Sequence, residues 1–346
     1  MNITEIVTFA SDLIRIPSLS GEEQQVTTFL AQNFRSRGWP VELLPIEGSR
    51  ANVLVSFGTP EIVFTTHTDV VPAPEHLFCP TIRDGRLYGR GACDTKGIIA
   101  TMVTVVDRLL SRGESNFGLL LVVGEELDGI GARRGAMQLK DRGVRYLING
   151  EPTECKIMRA HKGGLDLRIA CEGTACHSGY PQLGDDANER LIKLLNRIMG
   201  TEWPTDPDLG STTVNCGLIQ GGVAGNIISP LSEARVLFRT VSSHDYIRRV
   251  VESMLPSRTR VEVGYDVAPV LLRQIDGIPS DVAAYCTDIP NFDELGAECV
   301  LYGPGSILDA HTDSENIALK DIEDAVIGYE YIFHQLRHPE HRSLGC

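Results

Sequence analysis

The sequence predicts an α/β fold in which a mixed, largely parallel sheet is flanked by helices and an α+β domain is inserted. Three observations lead to this fold class. Short β-rich runs alternate with helical stretches near both ends of the chain. The middle of the chain has its own strands and helices, and 346 residues suggest about two domains.

The opening part of the chain supplies the alternation of helices and strands. Apolar residues from Ile3 to Ile14 follow a helical stripe that Pro17 ends, and a second helix is expected from about Glu22 to Arg37. Further helices are expected at 98–110 and 131–142. The predicted strands of the first domain are 51–57, 61–66, 117–123, 144–149 and 299–302.

The middle of the chain predicts the inserted domain. Strands are expected at 165–173, 212–217 and 232–240, with helices near 187–199 and 245–254. The chain then returns to complete the first sheet. We therefore expect one domain from 1–164 and 273–346, and an inserted α+β domain at 165–272.

Composition excludes several classes of protein. The net charge of −14 disfavours partners with phosphate backbones or anionic lipid surfaces, so neither nucleic acid nor a membrane is expected. We see no signal peptide and no long apolar span. Nine cysteines without CxxC pairs favour reduced thiols in the cytoplasm.

Metal-competent residues follow four of the predicted strands. They are His67 with Asp69, Glu125 with Glu126, Glu151, and His311. Because binding sites lie at the carboxyl ends of parallel strands, these loops can converge on one crevice. Asp94, in the glycine-rich stretch GRGACDTKG, can reach the same place.

Two imidazoles and three carboxylates predict a site for two zinc ions, since zinc binds nitrogen and oxygen ligands. Each residue also has an ordinary explanation. A single histidine after a strand is more often a surface or core residue, and Glu125–Glu126 resembles an acidic helix start. Glu151 before Pro152 fits a turn, and Asp94 fits a cap. Their joint occurrence at successive strand ends favours the metal site.

Six motifs in order resemble the M20 metallopeptidases. They are HTDVVP, GRGACDTKG, GEELDG, NGEPT, GTACHSGYP and AHTDSENI, and the resemblance covers nearly the whole chain. It is strongest to acetylornithine deacetylase and succinyl-diaminopimelate desuccinylase-like members. The resemblance implies a catalytic domain that carries an inserted lid, which commonly forms a homodimer.

The resemblance also implies a role for each site residue. His67 and Glu151 would hold one zinc, Glu126 and His311 the other, and Asp94 would bridge them; cobalt could substitute for zinc. Asp69 would orient the His67 imidazole, and Glu125 would be the general base.

Three residues of the inserted domain receive roles from the same resemblance. His177 would stabilise the oxyanion, reaching across from the partner's lid. Asn226 would contact the substrate backbone or its acyl oxygen, and Arg239 would bind the substrate carboxylate. A loop histidine, a turn asparagine and an outward strand arginine are the alternatives for these positions. Outside the inserted domain, Gly303 and Gly305 flank Pro304 in a loop that would shape the pocket through its backbone, and a plain turn is the alternative.

The expected activity is hydrolysis of an N-acyl amino acid, with N-acetylornithine giving ornithine and acetate in arginine biosynthesis. N-acetylcitrulline, an N-succinyl amino acid, a carrier-linked amino acid and a dipeptide stay open as substrates. A non-catalytic binding homologue is less expected, since every ligand and the base are present. A cysteine nucleophile at Cys93 or Cys176 is also disfavoured by the surrounding carboxylates.

Overall fold

A computed structural model of the chain describes residues 1–338, and it divides into two compact units. The first comprises Met1–Arg159, Leu272–Asp281 and Thr287–Cys346, and the second comprises Ala160–Leu271 and Val282–Cys286. Relative to the predicted insertion at 165–272, the second unit begins five residues earlier and includes a short later segment. Residues 339–346, which end the predicted 273–346 segment, lie outside the described residues.

Seven α-helices lie within residues 1–338. They are α1 (Ile3–Ile14), α2 (Gln24–Ser36), α3 (Lys96–Ser111), α4 (Ile130–Leu139), α5 (Ala187–Met199), α6 (His244–Met254) and α7 (Leu319–Arg337). Short 3₁₀ helices cover Glu75–Phe78, Pro181–Leu183 and Ile289–Leu295. Over the described part of the chain, no helix is both long and apolar enough to cross a membrane.

The strands of the first half of the chain belong mainly to the first unit. They are β1 (Val41–Pro45), β2 (Ala51–Phe57), β3 (Ile62–His67), β4 (Thr81–Arg83), β5 (Arg86–Tyr88), β6 (Phe117–Val122), β7 (Tyr146–Asn149), β8 (Ile157–His161) and β9 (Gly163–Glu172). The later strands are β10 (Thr205–Asp206), β11 (Gly210–Ser211), β12 (Thr213–Gly221), β13 (Leu231–Thr240), β14 (Thr259–Val267), β15 (Val270–Leu271), β16 (Ser280–Ala283), β17 (Glu298–Leu301) and β18 (Asn316–Ala318).

The main sheet of the first unit is mixed, with a parallel centre. Its strand order is β1-β2-β6-β3-β7-β17-β8. The neighbours β6, β3, β7 and β17 run parallel, whereas β1 and β2 join one side antiparallel and β8 joins the other antiparallel. The predicted α/β class with a mixed, largely parallel sheet is confirmed.

Both faces of this sheet are covered, which explains its continuous apolar strands. Alternate residues of β6 enter two different cores: Leu119 packs among α1, α2, α3 and α7, whereas Leu120 packs with α4 and the 3₁₀ helix Ile289–Leu295. Every residue of β6 is buried. Helices on both faces leave only the strand ends of the central sheet free to build a site.

The second unit is an antiparallel sheet with helices. Its strand order is β12-β13-β9-β14, and α5 packs against the sheet and against α6. Leu191, Leu194 and Ile198 of α5 form its core with Leu167 and Phe238 of the strands. This agrees with the α+β pattern that the sequence predicts for the insertion.

Candidate metal centre

The four parallel strands of the first unit deliver the predicted ligands to one edge of the sheet. His67 is the last residue of β3. Glu126 follows the end of β6 by four residues, and Glu151 follows the end of β7 by two. His311 lies ten residues after β17. Since β6, β3, β7 and β17 are parallel neighbours, their carboxyl ends share this edge.

Asp94 lies between two imidazoles. Its Oδ1 is 2.9 Å from Nε2 of His67, and its Oδ2 is 3.3 Å from Nε2 of His311. Nε2 of His311 is also 2.8 Å from Oε1 of Glu126. The Asp94 carboxylate therefore contacts one histidine with each oxygen, which is the arrangement that a bridging ligand needs.

The spacing of these donor atoms fits divalent cations. Two ligands about 2.1 Å from a tetrahedral zinc ion lie roughly 3.4 Å apart. One donor atom each from His67, Asp94 and Glu126 lies within 4.8 Å of the others. Small adjustments would therefore bring these atoms to zinc-binding distances. The mixture of imidazole nitrogen and carboxylate oxygen also suits zinc better than calcium or magnesium.

Burial and mutual repulsion oppose ionisation of three glutamates in the centre. Burial raises the pKa of Glu125 and of Glu151 well above the usual value, and neighbouring carboxylates add to both effects. The pKa of Glu126 is also raised, mainly by burial. A divalent cation beside such carboxylates would favour their charged forms. The centre thus has the electrostatic character of a cation site.

The pKa values of His67, His311 and Asp94 depend on the contacts among these side chains. Hydrogen bonds to Asp94 and Glu126 raise the pKa of His311 to about 10. Burial disfavours the charged form of His67, but the nearby carboxylates of Asp69 and Asp94, the second of them hydrogen-bonded at 2.9 Å, outweigh it and raise its pKa. Burial likewise opposes ionisation of Asp94, yet the imidazoles hold its pKa well below the usual range. Asp94 is therefore a carboxylate ready to bind a cation.

Asp69 holds the loop that carries Glu125 and Glu126. Its Oδ1 accepts backbone N–H groups of Gly124 and Glu125 at 2.9 and 3.1 Å, and its Oδ2 accepts that of Glu126 at 3.1 Å. The hydroxyl of Ser20 donates to the same Oδ2 at 2.7 Å. This anchoring role was not among the sequence-based expectations.

The orientation of His67 differs in detail from the expected one. Its Nδ1 lies 3.0 Å from the backbone oxygen of Asp69, whereas the nearest carboxylate oxygen of Asp69 is 3.6 Å away. Asp69 therefore orients the imidazole through its main chain. Its carboxylate is already occupied by the donors of the glutamate loop.

Glu125 and Glu126 lie in a tight turn that follows β6. The carbonyl oxygen of Gly124 accepts the N–H groups of Asp128 and Gly129 at 3.1 and 2.7 Å, which closes the turn. Gly124 and Gly129 have φ values of 78° and 64°, which glycine adopts readily. The turn, and not strand alternation, separates the two carboxylates.

The loop of Gly303 and Gly305 packs closely on two ligand segments. A Cβ on Gly303 would lie 2.4 Å from the backbone oxygen of Glu151, and one on Gly305 would lie 2.6 Å from Sγ of Cys93. The Cys93 thiol donates to the Ser306 carbonyl oxygen at 3.3 Å, and burial raises its pKa well above the usual value. A protonated, buried thiol gives no support to a cysteine nucleophile.

His177 and Asn226 lie side by side in the second unit. The carbonyl oxygen of Asn226 accepts the N–H of Ser178 at 3.0 Å, and residue 177 forms a bridge with Ile227. The exposed His177 ring accepts the Gly179 N–H at its Nδ1, 3.0 Å away. In the neutral ring the proton is then on Nε2, which can donate to an oxyanion.

Arg239 lies elsewhere in the second unit. It is on β13 opposite Gly164 of β9, and its Nη1 donates to Sγ of Cys286 at 3.2 Å. Leu231, at the other end of β13, is eight residues away, or about 25 Å along an extended strand. The loop of Asn226 leads into that far end. The structure thus brings Asn226 next to His177 but leaves Arg239 at the opposite end of the strand.

Sequence reasoning missed Asp288. This carboxylate is buried in the first unit, and its Oδ2 has no hydrogen-bond partner among the described residues. Burial raises its pKa to about 7, although Nδ2 of Asn291 donates to Oδ1 at 2.9 Å. Its charge also contributes to the raised pKa of Glu125 and Glu151. The signal in the sequence was only Thr287–Asp288 before Pro290, without a predicted strand.

Comparisons with known proteins agree with this architecture. Residues 63–335 match the model of the peptidase family M20/M25/M40. A Peptidase M20 domain-containing protein of Schizosaccharomyces pombe is 34% identical over 94% of this chain and 83% of its own length. A probable carboxypeptidase of Aspergillus flavus is 32% identical over 95% of this chain and 87% of its own length.

Solved structures share the fold at low sequence identity. The di-peptidase Dug1p of Saccharomyces cerevisiae has a TM-score of 0.79 at 16% identity, covering 97% of both chains. A dinuclear metal binding peptidase of Bacillus subtilis has a TM-score of 0.65 at 14% identity, covering 95% of this chain and 97% of that one. With the ligand set described above and the match over residues 63–335, the chain belongs to the peptidase family M20/M25/M40.

Proposed function

We propose that this M20 peptidase family member uses two divalent metal ions to hydrolyse the amide bond of an N-acyl amino acid. One observation carries the proposal: each Asp94 carboxylate oxygen contacts a different histidine, and the carboxylates of half-buried Glu126 and buried Glu151 belong to the same charged cluster. N-acetylornithine, which would give ornithine and acetate, is our first candidate substrate. Its cleavage would place the enzyme in arginine biosynthesis.

Peptides are the second class of candidate substrate. Relatives described as probable carboxypeptidases, and a structural neighbour described as a di-peptidase, support this class. N-acetylcitrulline, N-succinyl amino acids and carrier-linked amino acids are further candidates, and they share one chemical feature with peptides and N-acetylornithine. In all of them the nitrogen of the scissile amide belongs to an amino acid. A substrate carboxylate would suit the forked donors of Arg239.

We propose zinc as the working metal, with cobalt able to replace it. His67 and Glu151 would hold one ion, Glu126 and His311 the other, and Asp94 would contact both. When bound, such ions polarise a carbonyl group and make a water molecule more acidic at neutral pH. The structural neighbour from Bacillus subtilis, which is described as a dinuclear metal binding peptidase, supports two ions per site.

The protein's own groups would move the proton. Glu125 would accept a proton from the attacking water and then deliver it to the nitrogen of the leaving amine. Asp69 fixes the Glu125 backbone, so the carboxylate starts from a defined position. The Nε2–H of His177 would donate to the oxygen on which negative charge develops.

We also propose that the chain works as a homodimer through the second unit. His177 and Asn226 lie beyond one end of β13, and Arg239 lies near the other, about 25 Å away. A small substrate does not span that distance. Contact with all three residues then requires His177 and Asn226 from a second copy. The exposed edge strand β12, with Leu218 and Ile219 exposed, supports an interface in this unit.

The test is amine release from a substrate panel, measured with and without added zinc or cobalt. The panel contains N-acetylornithine, N-acetylcitrulline, N-succinyl-diaminopimelate and several dipeptides. Metal-dependent cleavage of N-acetylornithine above the others supports the proposal. Preferred cleavage of a dipeptide keeps the mechanism and replaces the substrate. Absence of turnover on the whole panel by metal-loaded protein favours a non-catalytic binding homologue.

The Glu125→Ala variant tests the assignment of the base. We expect turnover to fall by about 10²–10⁴-fold, because general acid–base catalysis is lost, while metal content stays near that of the wild type. Glu294→Ala is the matched control, since this glutamate side chain is 65% exposed in the same unit. Survival of activity in Glu125→Ala would remove Glu125 from the mechanism.

A further inference from the structure

Glu315 is a buried acid that none of the proposed catalytic steps uses. Its Oε1 accepts the backbone N–H groups of Cys93 and Asp94, each at 3.1 Å. Its Oε2 accepts Nη1 of Arg90 at 2.5 Å. The side chain of Glu315 is fully buried, and that of Arg90 is 3% exposed. The carboxylate thus binds the backbone of Asp94 on one side and a buried guanidinium on the other.

The main chain of Glu315 ties the same two segments together. Its carbonyl oxygen accepts the N–H of Gly89 at 3.0 Å, and the next residue, Asn316, pairs with Tyr88 across β18 and β5. His311 directly precedes the turn that Glu315 closes by donating its N–H to the Thr312 carbonyl oxygen, and its Nε2 is 3.3 Å from Oδ2 of Asp94. One short segment therefore supplies a histidine to the centre and anchors the aspartate which that histidine contacts.

The chemistry of the site requires a carboxylate at this position. Three donors converge on the side chain: two backbone N–H groups on one oxygen and a guanidinium on the other. An amide offers one oxygen and one NH₂ group, so it would place a donor against a donor on one side. The position is also costly for an acid, because burial and the charge of Asp94 raise the pKa of Glu315. The donors reduce this cost.

We infer that Glu315 is a positioning residue for the metal centre, which fixes Asp94 between His67 and His311 through the two backbone N–H groups. This inference rests on the proposed function, since it requires that Asp94 contacts two metal ions. Glu315 itself contacts no ion and no substrate in this account. It acts by holding the backbone from which the bridging carboxylate projects.

The experiment is a calorimetric titration of Co²⁺ into metal-free protein, with the visible absorption spectrum of bound Co²⁺ recorded in parallel. We expect two equivalents in the wild type. Glu315→Gln keeps an oxygen for the N–H groups, whereas Glu315→Ala loses every contact. Removing a group that orients a ligand weakens metal binding by about 10–100-fold. We expect the lower end for the glutamine variant and the upper end for the alanine variant, with an altered spectrum in both.

Glu330→Gln is the matched control. Glu330 is a buried acid paired with Arg108 and Arg112 at 3.7 and 3.3 Å. Arg108 lies twelve residues along α3 from Lys96, so this pair is about 18 Å from the end of the helix that Asp94 precedes. The control removes the charge of a buried carboxylate, whose arginine partners are 39% and 51% exposed, without touching the centre. We expect it to lower the unfolding temperature and to leave both Co²⁺ affinities unchanged.

The outcomes separate this inference from the proposed function. Wild-type Co²⁺ affinities and spectrum in a folded Glu315→Gln variant would overturn the positioning role. The positioning role would also be overturned if Glu330→Gln, against expectation, lost as much Co²⁺ affinity as Glu315→Gln. Lost stability alone would then explain both losses. If the alanine variant does not fold, the glutamine variant decides the matter. Failure of the wild type to bind two equivalents would instead contradict the proposed function.

Discussion

Replacing Asp69 by Asn should loosen the loop that carries Glu125 and Glu126. The Asp69 carboxylate accepts three backbone N–H groups and the Ser20 hydroxyl, whereas an asparagine has one oxygen. Whichever way the amide is turned, its NH₂ group faces at least one backbone N–H. The loop then loses an anchor directly beside the proposed base and one proposed ligand.

The expected cost follows from those contacts. A hydrogen bond to a charged group contributes about 1.5–3 kcal/mol, and a buried N–H left without a partner costs about 1–3 kcal/mol. Although burial opposes ionisation of Asp69, His67, the Ser20 hydroxyl and the Glu126 N–H together lower its pKa. The charged form is therefore favoured in the folded protein at neutral pH. We expect Asp69→Asn to lower the free energy of unfolding by about 2–4 kcal/mol.

Urea unfolding of the metal-free proteins measures this difference, with Co²⁺ titration of each folded variant as the second readout. Ser20→Ala is the matched control, which removes one hydrogen bond and should cost about 1 kcal/mol. An Asp69→Asn variant within about 0.5 kcal/mol of the wild type, with unchanged Co²⁺ binding, would refute the anchoring role. Weakened Co²⁺ binding at unchanged stability would instead indicate that the Asp69 carboxylate positions the proposed ligand Glu126 without stabilising the metal-free loop.

Three further predictions concern single side chains. His177→Ala should lower kcat by about 10²–10³-fold while calorimetry shows unchanged Co²⁺ binding; an unchanged kcat would exclude His177 from oxyanion stabilisation. Arg239→Lys should raise KM about tenfold at nearly constant kcat, because lysine lacks the planar fork; steady-state kinetics showing an unaltered KM would contradict carboxylate binding. The pKa of Asp288 is raised from 3.8 to about 7 on folding, so its ionisation destabilises the metal-free protein as pH rises through that range. Urea unfolding should therefore show Asp288→Asn gaining a few kcal/mol over the wild type between pH 4 and 7, and a pH-independent difference would contradict the burial argument.

Strongly patterned elements could be predicted from the sequence. The strand at 51–57 and the helix at 187–199 coincide with β2 and α5, because apolar periodicity and clear boundary residues define both. The helix α7 escaped prediction, although its 19 residues make it the longest of the described helices. Ala318, the residue directly before the helix, offers no side-chain cap, so the usual start signal is missing. The strand β14, whose residues are all half-buried or exposed, also escaped prediction.

The part of the candidate site that lies at the ends of strands could be predicted from the sequence. His67, Glu126 and Glu151 follow parallel strands closely, and the topology alone brings them to one edge. Asp288 and the contacts of Glu315 were not predictable, because long-range packing, and not local pattern, places them. The carboxylate of Asp69 illustrates the same limit. Its partners at residues 124–126 lie more than 50 positions away, and only the fold brings them together.

The most direct test of the central claim is a crystal structure of zinc-soaked protein with anomalous data recorded on both sides of the zinc absorption edge. We expect two anomalous peaks roughly 3.5–4 Å apart on either side of the Asp94 carboxylate. One peak would lie near His67 and Glu151, and the other near Glu126 and His311. A fully loaded crystal with a single peak, or with peaks remote from Asp94, would contradict the dinuclear centre.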